Sequence, residues 1–239
     1  MVPSYWWKFP WRACKPRHLD TGNMATKEHI KILVADDHAI VREGLKHILA
    51  DSPDIIVAGN AENGFDAIKL ARRGGYQVIL LDISLPDRNG IEVLKQLRKE
   101  CPKIPVLMLS MYREEQYAIR SLRAGAAGYM NKQSAPADLV TAIRVVASGK
   151  KYVSAALAQE LANQVGEDRD VPPHETLSDR EYQTMTMIAS GKSVGDIAAE
   201  LSLSVKTISM YRSRVLAKMK LKHNAELTHY AIKNRLVDE

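Results

Sequence analysis

Asp36, Asp37, Asp82, Ser110 and Lys132 each stand at, or within two residues of, the end of a short apolar run. The runs cover residues 30–35, 78–81, 106–109 and 127–130. If those runs are parallel strands, the five side chains meet at one sheet edge, where open α/β sheets place their chemistry. Two adjacent carboxylates repel unless a cation compensates them. A hard oxygen site of one to three carboxylates suits Mg²⁺, which keeps several waters and takes phosphate oxygens alongside. Lys132 supplies a point charge for a phosphoryl group, or a partner for Asp82 in its absence, and Ser110 supplies a hydroxyl donor. Taken singly, Asp36 and Asp37 are better read as helix caps and Lys132 as an ordinary surface lysine than as catalytic groups. Those readings leave the recurrence of acid, hydroxyl and base at successive run ends unexplained, so the phosphoryl site is the stronger expectation.

The elements that must position these residues follow from the pattern. From Lys31 onward, apolar runs alternate with amphipathic stretches, which predicts an α/β unit with a parallel sheet. A further strand is expected at 55–58, and helices at 39–50, 64–73, 91–99, 114–124 and 137–148, with Gly149 as a C-terminal stop. The loop after Asp82 contains Pro86 and Gly90, which fit a constrained turn before the next helix. Residues 154–165 favour a helix, and Gly166–Pro173, charged and ending in two prolines, reads as a linker.

Beyond the linker the style changes to short helices with explicit caps. Ser178-Asp-Arg-Glu181 is a capping box whose helix carries Tyr182, Met185 and Ile188 on its apolar positions. Ser193 and Ser204 are the next N-caps, placing helices at 194–201 and 205–219 joined by Ser202-Leu203-Ser204, with Asn224 capping a fourth helix at 225–234. Between Leu201 and Ala225 lie Lys206, Arg212, Arg214, Lys218, Lys220 and Lys222, with no Asp or Glu among them. An acid-free basic stretch on the second helix of such a pair is the footprint of a polyanion-binding element. Ile208, Val215 and Met219 share its inner face, while Lys206, Ser209, Met210, Ser213 and Arg214 point outward.

Composition narrows the class. At 239 residues, 46% hydrophobic and 26% charged, the chain has ordinary globular content and room for two cores. Cys14 and Cys101 make neither a redox nor a metal-ligand spacing, which fits a reducing cytoplasm. No window reaches the length of a membrane span and no signal peptide is visible, so no membrane association is expected. Residues 1–23 hold all three tryptophans without any helical or strand period. They read as a disordered extension, or as an upstream leader with Met24 opening the functional chain.

These motifs together carry a resemblance. Ala35-Asp-Asp-His38, Leu80-Leu-Asp82 with Leu85-Pro86 and Asn89-Gly90, Ser110, Ala124-Gly-Ala-Ala-Gly-Tyr129 and Lys132 resemble a bacterial response-regulator receiver. Leu177-Ser-Asp-Arg-Glu181, Ile197-Ala198, Lys206-Thr207 and Ala225-Glu-Leu227 resemble the LuxR-type helix-turn-helix of the NarL/FixJ subfamily, nearest in wording to its GacA/UvrY-like group. The resemblance implies a five-stranded doubly wound parallel sheet of the flavodoxin-like kind over residues 24–150, a linker with a short helix over 151–173, and a small all-α DNA-binding domain over 174–239. It implies that Asp82 is the phosphoacceptor and that Asp37, Asp82 and the Ser84 carbonyl hold Mg²⁺ directly, with Asp36 acting through water. Ser110 and Tyr129 would be the switch pair, and Lys132 would contact the phosphate. DNA contacts would come from Lys206, Thr207, Ser209, Met210, Arg212, Ser213, Arg214, Lys218 and Lys220. The implied partners are a sensor histidine kinase, promoter DNA, a second copy of the chain on that DNA, and RNA polymerase. One departure is Gln133 after Lys132, where many receivers have proline and a cis peptide.

The expected function is therefore a phosphorylation-dependent transcription regulator and not an enzyme. The competing classes are a DNA binder indifferent to phosphate and an aspartyl-phosphate phosphotransfer enzyme. Haloacid-dehalogenase-type enzymes carry a second Asp two residues after the nucleophile, and that position here is Ser84. Neither a P-loop nor a strand-linked dinucleotide fingerprint is present.

Overall fold

A computed structural model describes residues 29–111, 114–164 and 172–237. The expected extension at 1–23 and residues 165–171 of the expected linker lie outside them.

Five strands, β1 (Ile30–Ala35), β2 (Ile55–Ala61), β3 (Val78–Asp82), β4 (Val106–Ser110) and β5 (Gly128–Asn131), alternate with five helices. The helices are α1 (Ala39–Ala50), α2 (Gly64–Arg73), α3 (Gly90–Glu100), α4 (Glu114–Arg123) and α5 (Pro136–Ala147). All pairings are parallel, in the order β2-β1-β3-β4-β5. The order reverses at β1, which opens a crevice between the carboxyl ends of β1 and β3.

Alternation along the strands divides the core. Ile32, Val34, Leu80, Leu107 and Leu109 face Leu45 and Leu49 of α1 and Leu139, Ile143 and Val146 of α5. Leu33, Ile79, Leu81, Val106 and Met108 face the other way, toward α2, α3 and α4. Successive side chains on a strand point to opposite faces, so strands covered on both sides must be apolar throughout. This accounts for the uninterrupted Val78-Ile-Leu-Leu81 run, all of it buried.

Helix α6 (Ala155–Gln164) and a 3-10 turn (Pro173–Thr176) lead to α7 (Asp179–Ala189), α8 (Val194–Glu200), α9 (Val205–Met219) and α10 (Asn224–Lys233). Ser178, Ser193 and Ser204 each accept a backbone N–H three residues on, the first two as full capping boxes. Asn224 is not the cap expected for α10: the N-cap is His223, and the Asn224 side-chain Oδ1 accepts from the Arg212 Nε at 2.6 Å instead. An amide engaged by a guanidinium is lost to its own helix terminus, which shifts the start by one residue.

The helical layer is not separate from the sheet layer. Leu177, Tyr182, Met185, Ile197, Ile208, Val215 and Leu227 belong to the same contiguous apolar cluster as the α2–α4 side of the sheet. Every residue of α7 is buried.

Candidate functional site: an acidic cluster and a basic helix

Strand β1 ends one residue before Asp36, whose Oδ1 accepts the His38 N–H at 2.9 Å and so turns the chain into α1. The N-cap of α1 is nevertheless His38, with no side-chain cap hydrogen bond, so neither Asp36 nor Asp37 is the helix cap that each taken singly suggests. The buried Arg42 of α1 donates to the Asp36 backbone carbonyl at 2.8 Å and to Glu62 at 2.5 Å, fixing the turn from behind. From β3 comes Asp82, whose carboxylate accepts the backbone N–H of Ser84. The loop behind Ser84 is pinned at both ends. Asp87 accepts the N–H groups of Gly64 and Phe65 at 2.8 and 2.9 Å, and Gly90 N–H donates to the Ile83 carbonyl at 2.8 Å. At Gly90 the packing leaves no room for a side chain, because a Cβ would stand 2.0 Å from the Asp82 carbonyl oxygen.

The crevice brings Asp36, Asp37, His38 and Asp82 together, with one ligand atom from each lying within 4.8 Å of the others. The Lys132 ammonium bridges the cluster, 2.6 Å from Asp36 Oδ2 and 2.7 Å from Asp82 Oδ2. Asp36, Asp82 and Lys132 are all nearly inaccessible, whereas Asp37 is partly open and His38 is exposed beside it, Nδ1 to Oδ1 2.7 Å. Burial pushes the Asp82 carboxyl up, and the Asp36 charge adds to that, against the opposing pull of Lys132 and the Ser84 N–H. For Lys132 burial disfavours the charge, but the Asp82 and Asp36 carboxylates outweigh it and hold the ammonium above the ordinary lysine range. Three carboxylates against one nearly inaccessible ammonium leave net negative charge in a crevice of hard oxygen donors, and that donor set fits Mg²⁺.

Ser110 closes β4 next to this cluster, fully buried, and its carbonyl accepts the Lys132 N–H at 2.8 Å. Tyr129 is also fully buried, opposite Met108 in the β4–β5 register and on the α4 side of the sheet. Among the described residues there is no cis peptide, so the Lys132–Gln133 bond is trans. Gln133 uses the N–H that proline lacks, donating it to Asn131 Oδ1 at 2.7 Å.

On α9, Ile208, Val215 and Met219 are buried while Lys206, Ser209, Met210, Ser213 and Arg214 are exposed, as the pattern predicted. Thr207 is half-buried and its N–H is capped by Ser204 at 3.0 Å. Two of the basic residues are partly engaged within the domain. Arg212 holds Asn224, and Lys218 Nζ lies 2.6 Å from Glu181 Oε2. Lys220 takes the left-handed conformation that ends the helix, with φ 56°. The basic face is open to solvent.

Sequence reasoning missed the role of α7. Asp179 and Arg120 pair at 3.2 Å, and Lys95 reaches Asp179 at 2.6 Å. Arg120 also donates to the carbonyls of Leu177 and His174 and stacks 4.4 Å above the Tyr182 ring. Tyr117 meets Tyr182 edge to face at 5.2 Å and exchanges a hydrogen bond with Thr186 at 3.1 Å. Arg123 pairs with Glu175 at 2.6 Å. These residues of α3 and α4 thus hold the helical layer against the sheet layer. The signal available in sequence was weak: α7 is polar on the side away from Tyr182 and Met185, which reads as a solvated face.

Comparison with known proteins agrees with this geometry. Residues 32–144 match the response regulator receiver domain, and residues 175–231 match the luxR family of bacterial regulatory proteins. The chain is 38% identical to the response regulator UvrY of Escherichia coli K12 over 87% of this chain and 95% of that protein. It is 38% identical to the response regulator GacA of Pseudomonas aeruginosa over 87% of this chain and 98% of that protein. Among solved structures, RcsB from Salmonella enterica serovar Typhimurium bound to promoter rprA with the phosphomimetic BeF3⁻ matches with a TM-score of 0.59 and 26% identity, covering 84% of this chain and 98% of RcsB. The chain belongs to the LuxR-type two-component response regulators, in which a receiver domain is joined to a DNA-binding helix-turn-helix.

Proposed function

We propose that Asp82 accepts a phosphoryl group from a sensor histidine kinase and that this controls binding of a dimer to promoter DNA. The observation that carries the reading is the Asp36–Asp37–Asp82 crevice bridged by Lys132 in a chain that also presents an acid-free basic helix. An Asp82 carboxylate oxygen attacks phosphorus, the bond to the donor's leaving group breaks, and that group departs with the electron pair. Mg²⁺, when bound by Asp37, Asp82 and the Ser84 carbonyl, with Asp36 behind a water, offsets the charge of the transferring group. Lys132 moves from Asp82 to the phosphoryl oxygens, and Ser110 donates its hydroxyl there while Tyr129 follows. In this reading the chain performs no turnover of its own and is not an enzyme.

On the output side, Arg212, Arg214, Lys218 and Lys220 contact phosphates, and Lys206, Thr207, Ser209, Met210 and Ser213 lie along base edges in the major groove. The domains divide at 24–150, 151–173 and 174–239. No helix among the described residues is long and apolar enough to cross a membrane. We place the regulator in the cytoplasm, with RNA polymerase as its further partner. Intact mass of the full chain after exposure to acetyl phosphate and Mg²⁺ tests the acceptor. Wild type should gain one phosphoryl group and Asp82→Asn none; equal gain in both would place the acceptor elsewhere.

A further inference from the structure

Edge strand β2 ends in a cleft that the proposed phosphoryl transfer does not use. The cleft offers about 470 Å³ between α1, the end of β2 and α2. Topology accounts for it: β2 is the outermost strand, α1 packs on one face of the sheet and α2 on the other, and a gap is left along the strand's free edge. Arg42 lines the cleft from α1 and is only 9% exposed. Its Nη1 donates to the Asp36 carbonyl at 2.8 Å and its Nη2 to Glu62 Oε1 at 2.5 Å. The Glu62 side chain that meets this buried guanidinium is itself 71% exposed.

The two partners of Arg42 differ in permanence. The carbonyl is fixed by the turn after β1, whereas an exposed carboxylate gains little net from an ion pair and gives up side-chain freedom to hold it. A buried guanidinium penalises the state that leaves it unpaired, so whatever displaces Glu62 must carry negative charge. From α2, Lys69 and Arg73 line the same cleft, one turn apart and exposed, and neither has an acidic partner among the described residues. The other acids of the lining are occupied: Glu43 pairs with Lys46 at 2.5 Å, and Asp66 accepts the Asn63 amide at 2.9 Å. The negative end of α2, whose last turn also holds Arg72, is reason enough for Arg73 taken alone. It does not explain why a buried guanidinium with an exchangeable partner opens onto the same space.

We propose that this cleft binds a small phosphate monoester of sugar-phosphate or mononucleotide size, whose phosphoryl oxygens replace Glu62 on Arg42 and draw in Lys69 and Arg73. Displacing Glu62 adds one cation to the two already without acidic partners. A monoester of about −1.5 to −2 charge matches that set, where a single carboxylate would only stand in for Glu62. Guanidinium donors suit phosphoryl oxygens, and Asp36 keeps Arg42 in place through the exchange, so little reorganisation opposes binding. The volume falls within the range of small-molecule sites, about 300–1,000 Å³, and exceeds what one inorganic phosphate fills. Leu70 and Ala61 supply apolar lining for the organic body, and Asn60 supplies an amide. The site is separate from Asp82 and does not depend on that residue being the acceptor.

The test titrates the full chain with ribose 5-phosphate or 5′-AMP and reads amide NMR shifts, without Mg²⁺ so that the acidic crevice does not draw the phosphate. Saturable shifts should appear at residues 60–62 and 69–73, with a dissociation constant of about 1 mM or tighter. Adenosine, which keeps the organic body and lacks the phosphate, should leave them unmoved. Lys69→Gln combined with Arg73→Gln, both exposed and away from the crevice, should weaken binding about ten-fold, the worth of one charge-assisted hydrogen bond. Glu62→Gln removes the competitor for Arg42 and should tighten binding about two- to five-fold, the worth of an exposed ion pair. Asp54→Asn, which removes the same charge at the other end of β2, should bind as wild type does. Shifts confined to α9, or no saturable shift at the cleft with either ester, would overturn the site. Adenosine or inorganic phosphate binding as tightly as the esters would overturn the ligand class. Equal effects of Glu62→Gln and Asp54→Asn would overturn the exchange at Arg42.

Discussion

Glu181 holds Lys218 at 2.6 Å, and with the same oxygen accepts the Ser178 N–H at 2.8 Å that completes the capping box of α7. One buried carboxylate thus ties the start of the first helix of the DNA-binding domain to the end of α9. Burial raises the Glu181 pKa, but the bonds from Lys218 and Ser178 more than offset this and hold it below the ordinary glutamate value.

A group whose folded pKa is depressed contributes stability above its unfolded pKa and loses it as pH falls through the folded value. Acid below the usual glutamate range of about 4.5 should therefore weaken the α7–α9 tie. Glu181→Gln should lower stability at pH 7 by about 1–2 kcal/mol, the worth of a helix cap with a partly exposed ion pair. It should also flatten the acid limb of the stability profile, which urea unfolding at a series of pH values would reveal. An unchanged acid limb would mean that other carboxylates govern it.

Lys132 bridges Asp36 and Asp82, so the proposed Mg²⁺ would compete with its ammonium for the same charges. Lys132→Met removes the cation and leaves two nearly inaccessible carboxylates uncompensated, so the apo protein should lose about 3–5 kcal/mol. Millimolar Mg²⁺ should restore a larger share of Tm in this variant than it adds to wild type. Thermal melts with and without Mg²⁺ decide the matter, and Asp37→Ala should abolish most of the metal increment. A variant whose Tm ignores Mg²⁺ would remove the metal from the crevice.

At Gly90 a methyl group would stand 2.0 Å from the Asp82 carbonyl and 2.7 Å from Ile83 Cα. Both neighbours are backbone, so the loop must move. Gly90→Ala should cost about 1–3 kcal/mol as an overpacking change. It should also reduce the proposed phosphoryl uptake at Asp82 while leaving α9 and DNA affinity unchanged. Mass spectrometry and a DNA titration on the same preparation separate the two effects, and normal uptake would show that the loop tolerates the shift.

Arg214 is exposed on α9, whereas Lys218 is shared with Glu181. Arg214→Ala should lower affinity across DNA sequences and reduce the salt slope by about 1, with little change in stability. Lys218→Ala should lose stability as well as affinity. Ser209 and Met210 replacements should change sequence preference instead, measured by titrating labelled promoter variants at several salt concentrations. If Arg214→Ala binds as wild type does, the basic face is not the contact surface.

The acid cluster was legible because a parallel sheet sends every strand end to the same edge. Once the apolar runs before Asp36, Asp82, Ser110 and Lys132 read as strands, their convergence followed from topology. The caps at Ser178, Ser193 and Ser204 were legible for a similar reason, since a hydroxyl and a backbone N–H three residues apart meet within one turn. The bridging of Asp36 and Asp82 by a single ammonium, and the fixing of Asp36 by Arg42, needed the folded crevice, where burial makes these charges seek each other. The docking of α7 was decided wholly by tertiary structure. Asp179, Arg180 and Gln183 carry the pattern of a solvated face, and their partners Lys95, Leu85 and Asn89 lie more than 80 residues away in sequence. Local periodicity records which face of a helix is apolar; it does not record that a second, polar face will be buried against another layer, because that depends on the shape and charge of a surface formed only after both layers have folded.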